Sequence, residues 1–198
     1  MKKVLISIVT ITSLTLFSFK AEKSTAYKVD PKASTLVWTG QKVTGEHKGN
    51  IDIASGTLLV SANKLVGGTF DLNVASLTVT DITDKEKNAS LVEHLKNEDF
   101  FSTAKFPKAT FAITKIESKG ADNYDITGNL TIKGITKPST FSAVVKNSGK
   151  SLTAAGKVTV NRTLYDINYR STNFFADLGN KAISDEFTLD VNLVAKAQ

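Results

Sequence analysis

The sequence predicts an all-β protein: an eight-stranded antiparallel up-and-down β-barrel with one short helix in a long connection between strands. Three observations predict this fold. Apolar and polar residues alternate with period two along most of the chain after residue 35. Turn-forming residues, such as those at 67–68 and 147–149, separate the alternating runs at mostly hairpin-length spacing. The chain also has no room for the crossover helices that a parallel sheet requires.

Each alternating run is expected to be a strand with one apolar and one polar face, because successive side chains point to opposite sides of a sheet. Gly128 interrupts one pair of runs, and its position predicts a bulge or a tight bend. In chain order, the apolar residues of the runs are Leu36 and Trp38; Ile51 and Ile53; Leu58 and Val60; Phe70, Leu72 and Val74; Ala109, Phe111 and Ile113; Tyr124 and Ile126; Leu130 and Ile132; Phe141, Ala143 and Val145; Val158 and Val160; and Phe187, Leu189, Val191 and Leu193.

The connection from Asp81 to Asp99 is expected to hold the one helix. Asn88 or Ser90 can cap it, and apolar residues recur at helical spacing from Leu91 to Leu95. A connection of this length is usually ordered because it covers something, so we expect it over an open end of the barrel. Residues 161–184 form a second irregular region, which is rich in aromatic side chains.

The N-terminal residues have the pattern of a cleavable secretory signal peptide. Lys2 and Lys3 precede Val4–Phe19, a run without charge, and small residues follow it. Cleavage is expected after Ala26, with Ala21 as the second choice. The apolar run is short for a membrane-spanning helix, and the chain has no cysteine that a lipid could modify. These features predict a periplasmic or secreted protein without a lipid anchor.

Composition limits the remaining choices. Residues 27–198 are enough for one domain with an adequate core. The absence of cysteine excludes disulfides, thiolate catalysis and sulfur ligands for a metal. The formal net charge of +6 falls to +3 without residues 1–26, which hold four lysines and one glutamate. No basic stripe is interleaved with aromatic residues, so nucleic acid is not an expected partner.

The inward faces of such a barrel leave two interpretations open. A barrel of about eight strands either fills its interior with side chains or holds a small ligand. The faces mix large residues such as Phe70, Phe111 and Phe141 with small ones such as Ala109 and Ala143. Alternation alone favours neither an apolar pocket nor a packed core, and a sandwich of two sheets also fits it.

A succession of short motifs supplies further information. Residues 91–101 read Leu-Val-Glu-His-Leu-Lys-Asn-Glu-Asp-Phe-Phe, Phe106-Pro107 follows, and residues 127–138 end in Gly-Ile-Thr-Lys-Pro. Arg162 follows Asn161 on a late strand. In order and spacing, this succession resembles the YceI-like family of periplasmic, lipocalin-like proteins that bind polyisoprenoids. The resemblance covers nearly all of the chain after residue 26.

The resemblance implies a lipocalin-like barrel with an elongated apolar pocket for an isoprenoid or fatty-acyl lipid, without enzymatic activity or cofactor. A transient membrane contact and a homodimer are further expectations. A stress-associated interaction protein with a filled barrel is the alternative function, and an enzyme acting on a lipid-like substrate is a second one. The expected ligand-binding residues are Trp38, Phe70, Leu72, Phe111, Ile113, Ile126, Leu130, Phe141, Val158, Arg162, Phe174 and Leu189.

Two groups of residues are candidates for the mouth of the pocket. Four phenylalanines, at positions 100, 101, 174 and 175, lie outside the regular strands and are expected either to gate the mouth or to plug the barrel. Arg162 or Arg170 is expected to contact a head group or to brace the mouth, because a guanidinium pairs well with phosphate and carboxylate. A surface ion pair is the alternative role for these arginines.

Metal and catalytic sites are not expected. His47 and His94 are the only histidines, and a metal site usually needs three or four convergent ligands. His94 is expected on the helix surface or at a hinge. The acidic segment 81–86 lacks the glycine and the spacing of a calcium-binding loop. The sequence also has no nucleophile elbow and no phosphate-binding glycine-rich loop.

Overall fold

Residues 24–198 are described by the computed structural model, and they fold into ten strand segments and one α-helix. Short 3₁₀ turns lie at Val74–Ser76, Arg162–Tyr165 and Gly179–Lys181. The strands are β1 (Thr25–Val29), β2 (Thr35–Lys42), β3 (Gly45–Asn50), β4 (Asp52–Ser61), β5 (Lys64–Asn73), β6 (Lys108–Ser118), β7 (Asn123–Ile132), β8 (Ile135–Asn147), β9 (Ser151–Asn161) and β10 (Ile183–Ala197), and the helix is α1 (Lys85–Lys96).

The strands close into an antiparallel barrel with eight strand positions, which we call staves. From β4 to β10 each strand pairs with the next one in the sheet, in the order β4-β5-β6-β7-β8-β9-β10. β10 then pairs with both β1 and β2, which lie end to end along it, and β1 returns to β4. β3 pairs with β2 and precedes β4, so β3 and β4 form one bent stave. The predicted eight-stranded up-and-down barrel is confirmed, and the sandwich is excluded.

The alternation in the sequence corresponds to the two faces of the barrel wall. The apolar residues of each run are buried or half-buried, and their neighbours in sequence are more exposed. The predicted irregularity at Gly128 is also confirmed: the β6–β7 register shifts between Ile113 and Lys115, opposite this glycine. A Cβ on Gly128 would lie 2.3 Å from Cζ of Phe111 and 2.6 Å from the carbonyl oxygen of Ala112, so only glycine fits.

One end of the barrel, which we call the closed end, is tightly packed. The hairpin turns β4–β5, β6–β7 and β8–β9 lie there, beside the start of β1 and the end of β10. Tyr27, Leu152 and Ala195 are almost fully buried at this end. The Tyr27 hydroxyl donates to the carbonyl oxygen of Gly149 at 2.8 Å and so links β1 to the β8–β9 turn. The opposite end, which we call the mouth, carries the long connections.

Toward the mouth, β8 and β9 diverge. β8 pairs with β9 only from Ala143 to Asn147, so the first eight residues of β8 pair with β7 alone. Pro138 lies in this stretch; the sequence places it among turn residues, but it is part of the strand. A proline, which has no N–H to donate, is tolerated there because this part of β8 forms no ladder of hydrogen bonds with β9. The 3₁₀ turn Arg162–Tyr165 contacts β8, and Lys133 Nζ donates to the carbonyl oxygen of Asp166 at 2.7 Å.

The connection from residue 74 to residue 107 covers the free edge of β3 before it forms α1. The backbone N–H groups of Thr78 and Thr80 donate to the carbonyl oxygens of Asn50 and Lys48 at 3.0 and 2.9 Å. An uncovered strand edge would expose unpaired N–H and C=O groups, so the connection protects this edge of the sheet.

The helix is present, but its predicted cap was wrong. Asp84, not Asn88 or Ser90, is the N-cap residue, and its carboxylate accepts the N–H of Lys87 at 3.0 Å. Asn88 lies inside α1, and its side-chain amide donates to the carbonyl oxygens of Val79 and Ile82. Asp84 starts the helix earlier because its short carboxylate reaches an otherwise unpaired N–H of the first turn.

Most of the predicted signal peptide lies outside the described residues. The predicted cleavage sites differ in what they leave of the fold, because β1 begins at Thr25 and pairs with β4 and β10. Cleavage after Ala26 would remove the first two residues of β1. Cleavage after Ala21 would leave the strand whole.

Candidate functional site

The interior of the barrel is hollow at two adjoining places. The mouth cavity, of about 130 Å³, lies between the strands and the long connections. The barrel cavity, of about 90 Å³, is lined by strand residues alone. The walls of both are almost entirely apolar. Four leucines line both cavities and form a waist between them: Leu36, Leu72, Leu130 and Leu189.

Eleven of the twelve expected ligand-binding residues line one or both cavities. Leu72, Leu130 and Leu189 belong to the waist. Trp38 and Arg162 line the mouth cavity. The barrel cavity is lined by Phe70, Phe111, Ile113, Ile126, Phe141 and Val158. Alternation brings all of them except Arg162 together, because every second side chain of each stave points into the same enclosed space. Arg162 lines the mouth cavity from the 3₁₀ turn that follows β9. The contact of these residues with a ligand stays a prediction.

Phe174 is the exception among these twelve. Its side chain and that of Phe175 are 55% and 49% exposed, and neither residue lines a cavity. Phe100 and Phe101 do line the mouth cavity, next to Leu91 and Leu95 of α1. The helix therefore borders the cavity at the mouth, as the length of its connection predicts. The four phenylalanines divide into a pair that lines the mouth and a pair that faces solvent.

Three phenylalanines, on β5, β6 and β8, form a belt along part of the wall of the barrel cavity. The rings of Phe70 and Phe111 are stacked with centroids 6.4 Å apart, and those of Phe111 and Phe141 lie 5.6 Å apart. Small residues, Gly156 and three alanines, line the same cavity next to Phe141. This mixture of large and small residues leaves space that the side chains of this barrel do not fill.

Arg162 braces the mouth from inside the protein. It is only 4% exposed, so the surface ion pair is wrong for this residue. Its guanidinium donates to the carbonyl oxygens of Ser184, Ile167 and Ile183 at 2.8, 2.7 and 3.0 Å. Nη2 also lies 3.5 Å from Oδ1 of Asp185. Burial lowers the pKa of Arg162, and the nearby carboxylate opposes this shift. The arginine ties the end of β9 to the start of β10.

Trp38 is held by the connection that covers β3. Its indole Nε1 donates to the carbonyl oxygen of Thr78 at 3.0 Å. Gly49 lies opposite Trp38 in the β2–β3 pair, and a Cβ on it would be 1.7 Å from that oxygen and 2.8 Å from Nε1. The glycine therefore permits the close approach that fixes the ring at the wall of the mouth cavity.

A polar rim borders one side of the mouth cavity, on the adjacent strands β2, β3 and β10. The sequence did not predict its members, which are Gln41, Lys42, His47, Ser184 and Glu186. Period two was not visible in β3 because Gly45–Asn50 contains no large aliphatic residue. The signal that could have found His47 is the pairing of β3 with β2, which places it opposite Gly40.

His47 is anchored by Asp81, a residue of the acidic segment that has no metal-binding spacing. His47 Nδ1 lies 2.8 Å from Oδ2 of Asp81, and the N–H of Lys48 donates to Oδ1 at 2.9 Å. Partial burial acts to raise the pKa of Asp81, but the hydrogen bonds from Lys48 and His47 outweigh it and lower the pKa below its usual value. The carboxylate is therefore ionised and accepts both bonds.

His94 joins α1 to the β9–β10 connection. Its ring meets those of Phe100 and Tyr169 edge to face, with centroids 5.0 and 4.7 Å apart. Nε2 lies 3.3 Å from Oδ2 of Asp99, and Arg170 lies over the Tyr169 ring at 5.0 Å. Arg170 thus packs on an aromatic ring rather than lining a cavity. The expected hinge position of His94 corresponds to this aromatic cluster of His94, Phe100 and Tyr169.

Among residues 24–198, no group of three or more His, Cys, Asp or Glu side chains is arranged to hold a metal ion. None of the helices in this part of the chain has the length and the apolar character needed to cross a membrane.

Comparison with known proteins places this geometry in a family. The model of the YceI-like domain matches residues 27–195. The chain is 33% identical over 135 residues to Protein YceI of Salmonella newport, and the match covers 59% of this chain and 70% of that protein. It is 40% identical over 75 residues to a UPF0312 protein of Shewanella oneidensis, where the match spans 38% of this chain and only 39% of the relative's length.

Solved structures show the same fold. BcnA of Burkholderia cenocepacia has a TM-score of 0.68 at 24% identity, with 85% of this chain and 99% of that chain covered. A polyisoprenoid-binding domain of Saccharophagus degradans has a TM-score of 0.64 at 15% identity, with 87% and 98% covered.

Proposed function

Because the chain belongs to the YceI-like family, we propose that it binds a polyisoprenoid or a similar long apolar lipid inside its barrel. The observation that carries this proposal is the pair of adjoining apolar cavities joined at the leucine waist. The Saccharophagus domain, described as polyisoprenoid-binding, supports the choice of ligand class. The protein would sequester or carry the lipid, with the tail in the barrel and the polar end at the mouth.

The energetics of burial favour such a ligand. Each Å² of apolar surface removed from water contributes roughly 25 cal/mol, and a long tail offers several hundred Å². Micromolar or tighter binding remains after the costs of association and ordering. An apolar cavity of about 150 Å³ in another protein admits benzene, and the two adjoining cavities together exceed that volume. Because the mouth cavity and the barrel cavity adjoin, a long and narrow branched chain fits them better than a compact ligand does.

No covalent chemistry is needed for this role. A catalytic site in the pocket would require convergent polar groups with perturbed pKa values inside it. The cavity walls are instead apolar, and Arg162, the buried charged residue that lines them, directs its guanidinium to backbone carbonyl oxygens. We therefore propose binding and release as the whole mechanism.

Extraction of the purified protein tests the proposal. The protein is washed, extracted with organic solvent and analysed by mass spectrometry, with the extract of an unrelated protein from the same host as control. Recovery of a polyprenyl or fatty-acyl compound in near-stoichiometric amount supports lipid carriage. If the extract is clean and added isoprenoids do not bind, the filled-barrel interaction protein becomes the better interpretation. Turnover of the added lipid would favour the enzyme.

We also propose that the protein is exported to the periplasm or secreted. The basic start and the uncharged run at Val4–Phe19 support this, as does the start of β1 soon after them. Mass spectrometry of the mature protein gives the cleavage site directly. A mature chain that starts at Glu22 would retain all of β1, whereas one that starts at Tyr27 would lack Thr25 and Ala26.

Loading from a membrane is part of this proposal. Phe174 and Phe175 are exposed on a turn beside the mouth, where the side-chain amide of Asn173 donates to Oδ2 of Asp185 at 2.5 Å. Two half-exposed phenylalanines offer roughly 200 Å² of apolar surface. A stable dimer buries about 800 Å² per partner, which is more than these two phenylalanines offer. The pair therefore suits shallow insertion into lipid better than a dimer interface.

Vesicle sedimentation tests the membrane contact. The double variant Phe174→Ser/Phe175→Ser should sediment less with phospholipid vesicles than the parent protein does. Val66→Ser is the control, since Val66 is also exposed but lies near the closed end. Equal sedimentation of all three proteins would contradict the contact. The homodimer stays a prediction.

A further inference from the structure

We propose that the rim of the mouth cavity is a binding site for a hydroxyl head group, which lies over Gly40 between His47 and Lys42. This inference rests on the proposed lipid binding and specifies the ligand as an isoprenoid alcohol. The register of three strands, the space over one glycine and the hydrogen bond between His47 and Asp81 carry it.

The strand register brings the rim residues together. Gly40 of β2 pairs with His47 of β3 on one side and with Phe187 of β10 on the other. Residues paired across an antiparallel sheet share a face, and all three line the mouth cavity. Lys42 lies two residues after Gly40, on the same face of β2, and it lines the same cavity. A histidine and a phenylalanine therefore flank Gly40, with a lysine above it.

Gly40 leaves an open space between its larger neighbours. A Cβ built on it would meet a single heavy atom within 4 Å, Cζ3 of Trp38 at 3.8 Å. Gly49 differs, because its Cβ would collide with the backbone. The glycine at position 40 is thus not demanded by packing. A small group of a ligand fits over it, beside the His47 ring.

Asp81 fixes which nitrogen of His47 accepts a hydrogen bond. An ionised carboxylate only accepts, and Asp81 faces Nδ1 of His47. Nδ1 therefore carries a proton, and in the neutral form of the ring Nε2 has a free lone pair. Nε2 has no hydrogen-bond partner among residues 24–198. Asp81 is itself held by the N–H of Lys48, so the ring orientation is fixed before a ligand arrives.

The rim supplies one donor to complement this acceptor. The ammonium group of Lys42 only donates, and it forms no ion pair within the described part of the chain. Glu186 lines the same cavity and carries the opposite charge. Asp81 and Glu186 oppose the charge of Lys42, and Arg162, which lines the same cavity, directs its guanidinium to backbone carbonyl oxygens and Asp185.

A hydroxyl group is the head group that satisfies both partners. Its O–H donates to Nε2 of His47, and its oxygen accepts from Nζ of Lys42. A quinone carbonyl only accepts, so it would leave Nε2 unpaired. A phosphate or an ionised carboxylate would place negative charge near two carboxylates without a compensating excess of cations. A hydrocarbon without a head group would form no hydrogen bond with His47 or Lys42.

The test compares ligands that share one tail. Geranylgeraniol, geranylgeranyl phosphate and the matching hydrocarbon are titrated into the whole protein, and binding is followed by the fluorescence of Trp38, the single tryptophan, which lines the cavity. His47→Leu removes the acceptor, and Lys42→Met removes the donor but keeps the stem. Lys48→Met is the control, because Lys48 is exposed and lies outside the cavity lining.

We expect the parent protein to bind the alcohol more tightly than the hydrocarbon or the phosphate. His47→Leu and Lys42→Met should each weaken alcohol binding about three- to tenfold, the range of one hydrogen bond, and leave hydrocarbon binding unchanged. If His47→Leu does not fold, Gly40→Val replaces it; this variant fills the space over Gly40 and should abolish the preference for the alcohol.

The outcomes separate this inference from the proposed function. Equal binding of alcohol and hydrocarbon, or an unchanged alcohol affinity in both rim variants, overturns the head-group site and leaves lipid binding intact. Tightest binding of the phosphate overturns the assignment of the hydroxyl. Failure of all three ligands to bind overturns the proposed function, and the head-group site with it.

Discussion

The ring of His94 on α1 meets the ring of Tyr169 in the β9–β10 connection edge to face, with centroids 4.7 Å apart. Phe100 completes the cluster at 5.0 and 5.4 Å from these two rings. This contact links the two long connections at the mouth. One of them supplies Phe101 and Leu95 to the wall of the mouth cavity.

The aromatic cluster is expected to hold α1 in place. An aromatic pair contributes about 0.5–1.5 kcal/mol beyond the area that it buries. Tyr169→Ala should therefore speed hydrogen exchange in Lys85–Lys96 by up to about tenfold, as measured by mass spectrometry. Leu164→Ala is the control, since Leu164 is half exposed on the same connection. An unchanged exchange rate in the Tyr169 variant would show that other contacts fix the helix.

Arg162 is expected to be essential for stability. Arg162→Met leaves three carbonyl oxygens and Asp185 without their partner, and breaking a buried charged pair typically costs about 3–5 kcal/mol. Urea unfolding measures the change in the free energy of unfolding. Lys133→Met, which removes one exposed hydrogen bond to Asp166, should cost about 1 kcal/mol or less. Similar losses for the two variants would refute the bracing role.

Gly49 is expected to tolerate no side chain. Gly49→Ala places a Cβ against the carbonyl oxygen of Thr78 and must push the covering segment away from β3. Overpacking of this kind typically costs about 1–3 kcal/mol or more, visible as a lower midpoint of thermal unfolding. Gly67→Ala is the matched control, because its Cβ would have a nearest contact of 3.4 Å. Equal midpoints for both variants would contradict the collision.

The barrel cavity is expected to limit ligand uptake. Phe111→Trp or Phe141→Trp enlarges a member of the phenylalanine belt and narrows the cavity. Binding of a fluorescent isoprenoid analogue should weaken at least about fivefold, equivalent to about 1 kcal/mol of overpacking. Val66→Trp controls for an added indole on the outer surface. Unchanged affinity would remove these two residues from the ligand-binding wall.

The hydrogen bonds of Asp81 make a pH-dependent contribution to stability. Its pKa is lower in the folded protein than in the unfolded chain, so the ionised form favours folding. The difference in the free energy of unfolding between the parent protein and Asp81→Asn should be fully present above about pH 4 and shrink as the pH falls through the folded pKa. Glu46→Gln controls for the loss of one negative charge at an exposed position of β3, the strand that carries His47. A difference that does not vary between pH 5 and 2 would contradict this role.

Several features of the fold were predictable because they depend on local periodicity. Runs such as Phe70–Val74 and Phe187–Leu193 alternate strictly, and a side-chain period of two requires a strand with one apolar face. Closure of eight such strands gives every apolar face the same interior. Ten of the twelve expected ligand-binding residues lie on strands and line the cavities for this reason. β1 and β3 were not predicted, since one adjoins the signal-like segment and the other lacks apolar alternation.

The remaining features are decided by contacts between residues far apart in sequence. Arg162 is buried because Ile183 and Ser184 return beside it after some twenty residues. His47 is held at the site because Asp81, in the connection that covers the edge of β3, forms a hydrogen bond with its ring. The sequence by itself determined that the chain forms a barrel with an apolar interior. Only the tertiary structure decided that the interior is hollow, because unfilled volume depends on how side chains from all staves pack together.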